Sequence, residues 1–130
     1  MSKEFKHRVK VYYEDTDSGG VVYYANYLKF LERARSEAIY SIGLSNKILL
    51  DEFNTLIIVK SCNIEYKKPA KFEDELEIIS SVKSFTRTSF IMSQKIMKND
   101  EEITSSAVQL VTVNKDGKPV KIPDVLKNLF

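Results

Sequence analysis

The chain has 130 residues, 43% hydrophobic and 29% charged, with only four Gly and three Pro. That composition excludes disordered and collagen-like chains and predicts one domain spanning residues 1–130 with a single core. A net charge of +2 from 20 basic and 18 acidic residues lacks the clearly basic stripe that nucleic-acid binding selects, and the one cysteine, Cys62, excludes an intrachain disulfide framework.

In chain order, the opening MSKEFKHRVK is charged and has no apolar secretory core, and no later run approaches the roughly 18 apolar residues of a membrane span. The expected compartment is therefore the cytoplasm. Residues 9–13, Val-Lys-Val-Tyr-Tyr, alternate as a short strand does, and His7 is expected to be an incidental surface residue near a frayed terminus. Glu14-Asp15-Thr16-Asp17-Ser18-Gly19-Gly20 then predicts a loop, with paired glycines able to take positive φ. From Tyr24 to Ile42 the period changes. Tyr27, Phe30, Leu31, Ala34, Ala38 and Ile42 recur at three- and four-residue steps and define a long amphipathic helix, with Gly43 placed to end it. A shorter helix is expected over 45–51 with Ser45 as its N-cap.

Beyond residue 54 the pattern is that of strands: 56–66, 75–85, 88–98 and 103–113, with turns at Asn99-Asp100 and 114–117 and a short helix after Pro123. Strands joined in sequence by hairpins make an antiparallel sheet, and the one long helix is available to cover its apolar face. The expected fold is therefore α+β, an antiparallel sheet wrapped around a single helix.

The chemistry lies between Val11 and Arg35. A carboxylate loop leads directly into the N-terminus of the long helix, where unpaired backbone amides carry partial positive charge and suit a developing oxyanion. A neighbouring Asp can act there as nucleophile or general base, and acyl-transfer chemistry uses both parts. Asp15-x-Asp17 opens like a calcium loop. However, Gly19 stands at the next ligand position and Asn26 at the twelfth, so calcium is not expected. With one His and one Cys, neither a zinc cluster nor a Ser-His-Asp triad is expected; no metal and no cofactor is implied. Asp15 and Glu14 read as structural, Tyr27 as core, and Tyr23 as a residue able to line an acyl pocket.

The run Tyr-x-Asp-Thr-Asp-x-x-Gly-x-Val-Tyr-x-x-x-Tyr-Leu over residues 13–28, closed by Glu32-Arg-Ala-Arg35, resembles the hotdog-fold thioesterases of the 4-hydroxybenzoyl-CoA thioesterase family, in particular the bacterial branch associated with the Tol–Pal system. The resemblance runs over almost the whole chain. It implies a hotdog fold and hydrolysis of an acyl-CoA to free acid and coenzyme A, with Asp17 as the catalytic carboxylate and the backbone amide of Tyr24 polarising the thioester carbonyl. Many members of that branch carry His where this chain has Tyr24, so no imidazole is expected beside Asp17, whereas the amide is supplied by either residue. The resemblance also implies that basic residues near a subunit boundary hold the nucleotide of coenzyme A; Arg87, Lys67, Lys68 and Lys71 are the matching candidates. It further implies a homo-oligomer, expected as a tetramer. The alternative is a non-hydrolytic module that binds acyl-CoA or acyl carrier protein.

Overall fold

The computed structural model describes residues 3–130. Its strands are β1 (Phe5–Lys10), β2 (Leu56–Tyr66), β3 (Glu75–Phe85), β4 (Ser89–Lys98) and β5 (Glu101–Val113); its α-helices are α1 (Tyr27–Ser41) and α2 (Asn46–Phe53). The strands form one antiparallel sheet in the order β1-β3-β4-β5-β2, with α1 packed on its inner face. The expected hotdog arrangement, a sheet curled around one long helix, is borne out.

Alternation decides which face is inner. Leu76, Ile78, Ser80 and Val82 of β3 are buried, as are Phe90, Met92, Gln94 and Ile96 of β4. Register brings Ile78 opposite Ile96 and Val82 opposite Met92. Two apolar clusters result. Under the first half of α1, Tyr27, Phe30, Leu31 and Ala34 meet Leu76, Ile78, Ile96 and Ile103. Under its second half, Ala38 and Ile39 meet Val82, Phe90, Met92, Val108 and Leu110, and Leu49 of α2 with Ile122, Leu126 and Leu129 closes that end. Each fully buried aliphatic or aromatic side chain stabilises the fold by about 1.5–3 kcal/mol, so these faces dominate folding.

A polar contact crosses the core where the clusters meet. Gln94, with no exposed surface, accepts from Arg35 Nη1 at 2.9 Å and donates from Nε2 to Leu31 O at 3.0 Å and Ser80 Oγ at 2.9 Å. No carboxylate lies within ion-pair distance of Arg35 among the described residues. Burial pulls its guanidinium below the ordinary value, while Glu32 and Cys62 oppose the shift. Gln94→Leu keeps the volume but strips the partners from a half-buried cation and from the buried Ser80. We expect a loss of about 3 kcal/mol, read as a lower urea midpoint at unchanged slope. An unchanged midpoint would show that Gln94 is not what satisfies Arg35.

Some boundaries differ from expectation. The first strand runs over Phe5–Lys10 rather than 9–13, because Phe5, His7 and Val9 already alternate with charged, exposed neighbours. Val11 continues the edge by donating to Asp74 O, and the chain then turns at Tyr13–Asp15. His7 sits inside β1 opposite Ile78 and is not frayed. The long helix begins with a 3-10 turn over Tyr24–Asn26 before α1 proper. Ser45 caps α2 as expected, accepting from Ile48 N at 3.0 Å, and Gly43 at φ 82° ends the preceding helix.

One irregularity orients the sheet edge. The pairing of β2 with β5 shifts between Val59 and Ser61, leaving Lys60 as a bulge. The extra residue reverses side-chain parity, so Ile57 and Val59 before it and Ile64 and Tyr66 after it all face the helix side. Two-residue alternation without the bulge would send one pair outward.

Candidate active site at the opening of the long helix

Asp17 begins a tight turn. Gly20 N donates to Asp17 O at 3.0 Å, Asp17 N donates to Val21 O at 2.9 Å, and Gly20 takes φ 79°. Gly19 N donates to Asp17 Oδ1 at 2.8 Å, so one carboxylate oxygen fixes the turn while Oδ2 has no partner within the chain among the described residues. A Cβ at Gly19 would stand 3.2 Å from that Oδ1, a crowded approach that favours glycine. Asp17 is exposed in the single chain.

Asp15 plays a different part. It is 7% exposed, its Oδ2 accepts from Tyr12 N at 2.9 Å, and its carbonyl accepts from Tyr23 N at 2.9 Å and Asn26 Nδ2 at 3.0 Å. Those bonds strap the carboxylate loop to the helix opening, which accords with its structural reading. The far side of the loop is tied by Val22 N to Ala70 O at 2.8 Å and by the bridge of Val21 with Lys71. Ala70 N in turn donates to the buried Tyr27 Oη at 3.0 Å. Burial raises the Tyr27 phenol above its ordinary value, with the Ala70 bond opposing. Tyr27→Phe would leave a buried N–H without an acceptor. A cost of about 1–3 kcal/mol is expected by thermal unfolding. An unshifted midpoint would mean that water replaces the phenol.

The strap leaves the helix opening available. Among the described residues the Tyr24 N–H has no acceptor, as the geometry of a helix start requires. Around it lies an open aromatic surface. Tyr23, Tyr24 and Tyr66 are 45%, 62% and 45% exposed, with ring centroids 4.9 Å apart for Tyr23–Tyr24 and 6.2 Å for Tyr24–Tyr66. Tyr66 Oη donates to Tyr24 O at 3.3 Å, a contact between residues far apart in sequence that no local pattern announces. The Tyr24 phenol also holds that of Tyr23 above its ordinary value.

The basic candidates separate into three situations. Lys71 adjoins the carboxylate loop through its bridge with Val21 and lies in no ion pair among the described residues. Lys67 and Lys68 lie at the same end of the sheet but are matched by carboxylates, Glu102 at 2.7 Å and Glu101 at 2.8 Å. Arg87 lies in the β3–β4 turn, at the opposite end of an 11-residue strand and therefore about 30 Å from the Asp17 loop along β3. One chain does not bring Arg87 to Asp17.

A concavity of about 130 Å³ opens further along α1, walled by Glu32, Arg35 and Ile39 of the helix and by Ile57, Val59 and Phe90 of the sheet. Asp17 does not line it. Among the described residues there is no cluster of three or more His, Cys, Asp or Glu able to hold a metal, and no helix is long and apolar enough to cross a membrane. Cys62 is exposed, and burial nevertheless raises its thiol above the ordinary value while Arg35 opposes the shift.

The sequence and the fold have counterparts among known proteins. The family model described as the thioesterase-like superfamily matches residues 11–130. An acyl-CoA thioesterase YbgC of Haemophilus influenzae is 36% identical over 131 residues, covering 100% of this chain and 96% of the relative. An acyl-CoA thioester hydrolase YbgC of Escherichia coli O6:H1 is 39% identical over 107 residues, covering 82% of this chain and 79% of the relative. Among solved structures, a probable thioesterase from Bartonella henselae superimposes with TM-score 0.90 at 30% identity, covering 93% of this chain and 100% of that one.

Proposed function

The chain belongs to the thioesterase-like superfamily, and from that membership we propose that it hydrolyses acyl-coenzyme A thioesters to a free acid and coenzyme A. The observation that carries the reading is the pairing of a carboxylate having one unengaged oxygen with an unengaged amide at a helix opening, the two strapped together through Asp15. In the proposed reaction Asp17 supplies an electron pair to the thioester carbonyl carbon, either directly or by deprotonating a water. Both routes place negative charge on the carbonyl oxygen, where the Tyr24 N–H meets it. The carbon–sulfur bond breaks, the thiolate takes a proton, and water supplies the oxygen of the released acid. Tyr23, with Tyr24 and Tyr66, forms the proposed wall against the acyl group.

The proposed working unit holds more than one chain. β2 is an edge strand of 11 residues with Ile58, Val59 and Tyr66 each close to half exposed, a surface that an isolated chain leaves open to pairing. Antiparallel pairing of two β2 edges about a two-fold axis sets the Leu56 end of one beside the Tyr66 end of the other. Arg87, between β3 and β4, then stands about 14 Å from the seam, roughly three strand spacings away, at the end of the joined sheet where the other chain's Asp17 loop lies. That span suits coenzyme A, whose reactive sulfur and phosphates lie at opposite ends of a long arm. Lys71 serves the near end, whereas Lys67 and Lys68 contribute only if a phosphate displaces Glu102 and Glu101. We propose a homotetramer of two such pairs, acting in the cytoplasm. Light scattering should return four chain masses; a 15.0 kDa particle at micromolar concentration would contradict the shared site.

Thiol release across a panel of short, long and aromatic acyl-CoAs tests the activity. Release from at least one substrate is expected. Tight binding of every substrate without release would leave the chain a carrier of acyl-CoA or acyl carrier protein.

A further inference from the structure

The concavity of about 130 Å³ between α1 and the sheet has a closed apolar floor and an open side toward the β2 edge. Its floor is Phe90, Met92, Leu110 and Leu129, each no more than 3% exposed. Its mouth is formed by Ser36 of α1 and by Ile57 and Val59 of β2, with Val59 45% exposed. Glu32 and Arg35 border it with opposite charges, so it offers no net attraction to an ionised group. Along the helix, Ser36 and Ile39 lie about 14 and 18 Å beyond Tyr27. The helix opening of the same chain is therefore remote from it.

The parity reversal at Lys60 brings another helix opening nearer. Residues directly opposite one another in an antiparallel pair share a face. Ile57 and Val59 face the helix side before the bulge; Cys62, Ile64 and Tyr66 face it afterwards, with Cys62 opposite the buried Val108. A two-fold seam centred on β2 that keeps the helix sides together therefore sets Val59 opposite the partner's Cys62 and Ile57 opposite the partner's Ile64. Two residues on, about 7 Å along the strand, comes the partner's Tyr66, whose hydroxyl bonds the carbonyl of the partner's Tyr24. In that pairing the mouth of each concavity opens on the helix start of the other chain.

We propose that the concavity under α1 of one chain receives the acyl group of a thioester whose carbonyl lies at the partner's helix opening, and that it limits this group to a short, uncharged, apolar one. An apolar cavity of about 150 Å³ holds a benzene ring, so the available space fits about six carbons. Longer chains meet the floor at Phe90 and Leu129. The proposal rests on the thioesterase reading and names its substrate class. The chain that supplies Asp17 is not the chain that measures the acyl group.

Kinetics of the full-length oligomer test it first. For wild type, kcat/KM should climb from acetyl- to hexanoyl-CoA and fall for palmitoyl-CoA; a maximum at palmitoyl-CoA would overturn the limit. Ser36 is half-buried and its hydroxyl bonds Glu32 Oε1 one turn back, so Ser36→Trp fills the concavity from the helix side. That variant should lower the hexanoyl-to-acetyl ratio of kcat/KM about tenfold or more.

A mixed oligomer of Asp17→Asn chains and Ser36→Trp chains, isolated through two different tags, decides which chain supplies the pocket. Across the seam, the intact acid of one chain meets the intact concavity of the other. Hydrolysis of hexanoyl-CoA should then return to about half of wild type, one sound site in each mixed pair. If each chain used its own concavity, both sites would be defective. A mixed oligomer no more active than its parents would overturn the proposal even though wild type is an active thioesterase.

Calorimetry with alkyl-CoA thioethers, which cannot be hydrolysed, reads the concavity whether or not the protein releases thiol. Wild-type affinity should rise about fourfold per methylene from methyl to hexyl and gain nothing beyond. An affinity indifferent to chain length, or one that climbs steadily to hexadecyl, would overturn the limit. The same hexyl limit in a protein that releases no thiol would keep the pocket and reject hydrolysis.

Discussion

Replacing Asp17 by Asn is expected to lower kcat for acyl-CoA hydrolysis by about 10³-fold while leaving the fold and substrate binding nearly intact. The reason lies in the division of labour between the two carboxylate oxygens. Oδ1 accepts from Gly19 N at 2.8 Å, and the amide oxygen of Asn can do the same, so the turn survives. The second oxygen carries the proposed chemistry, and an amide nitrogen there has neither the basicity nor the nucleophilicity to replace it. Thiol release measured under saturating acyl-CoA reads the loss, and circular dichroism with ligand binding checks the fold. An Asn variant within tenfold of wild type would remove Asp17 from the reaction.

The second large effect concerns a backbone atom. Tyr24→Pro deletes the proposed oxyanion donor, and the local geometry accommodates proline. Tyr24 opens a helical turn, where proline's fixed φ is tolerated, and Tyr23 at φ −62°, ψ 131° already has the extended conformation that a following proline requires. The expected fall in kcat is about 10²–10³-fold. Tyr24→Ala removes the phenol but keeps the N–H, and it should stay within about fivefold of wild type in kcat, since the exposed phenol takes no part in the proposed chemistry. Equal losses in the two variants would place the side chain, not the amide, in the reaction.

The sequence reveals those features whose cause is local. The apolar stripe of Tyr27, Phe30, Leu31, Ala34 and Ala38 marks the buried face of α1 because a helix repeats its faces over a few residues. The strands β2 to β5 lie within two residues of their expected limits because alternation and turn residues are also local signals. The first strand was displaced because Lys6, Arg8 and Lys10 mask the alternation of Phe5, His7 and Val9, whereas Tyr12 and Tyr13 imitate strand residues while turning. What stayed hidden depends on contacts between distant segments. Lys67 and Lys68 look available until β5 brings Glu102 and Glu101 to them. Arg87 looks like a partner for Asp17 until the direction of β3 carries it to the other end of the sheet. The parity reversal at Lys60 has no composition signal at all. The carboxylate loop was legible because its turn chemistry, its glycines and the helix start are contiguous, while the bonds from Asp15 and Ala70 that hold it in place appear only in three dimensions.

A crystal structure of the Asp17→Asn oligomer soaked with an acyl-CoA measures the proposed geometry directly. The thioester oxygen should lie 2.7–3.1 Å from the Tyr24 nitrogen, with its carbon facing residue 17 and the nucleotide reaching the Arg87 end of a neighbouring chain. A thioester bound with its carbonyl turned away from the helix opening, or seated wholly within one chain far from residue 17, would contradict the assignment.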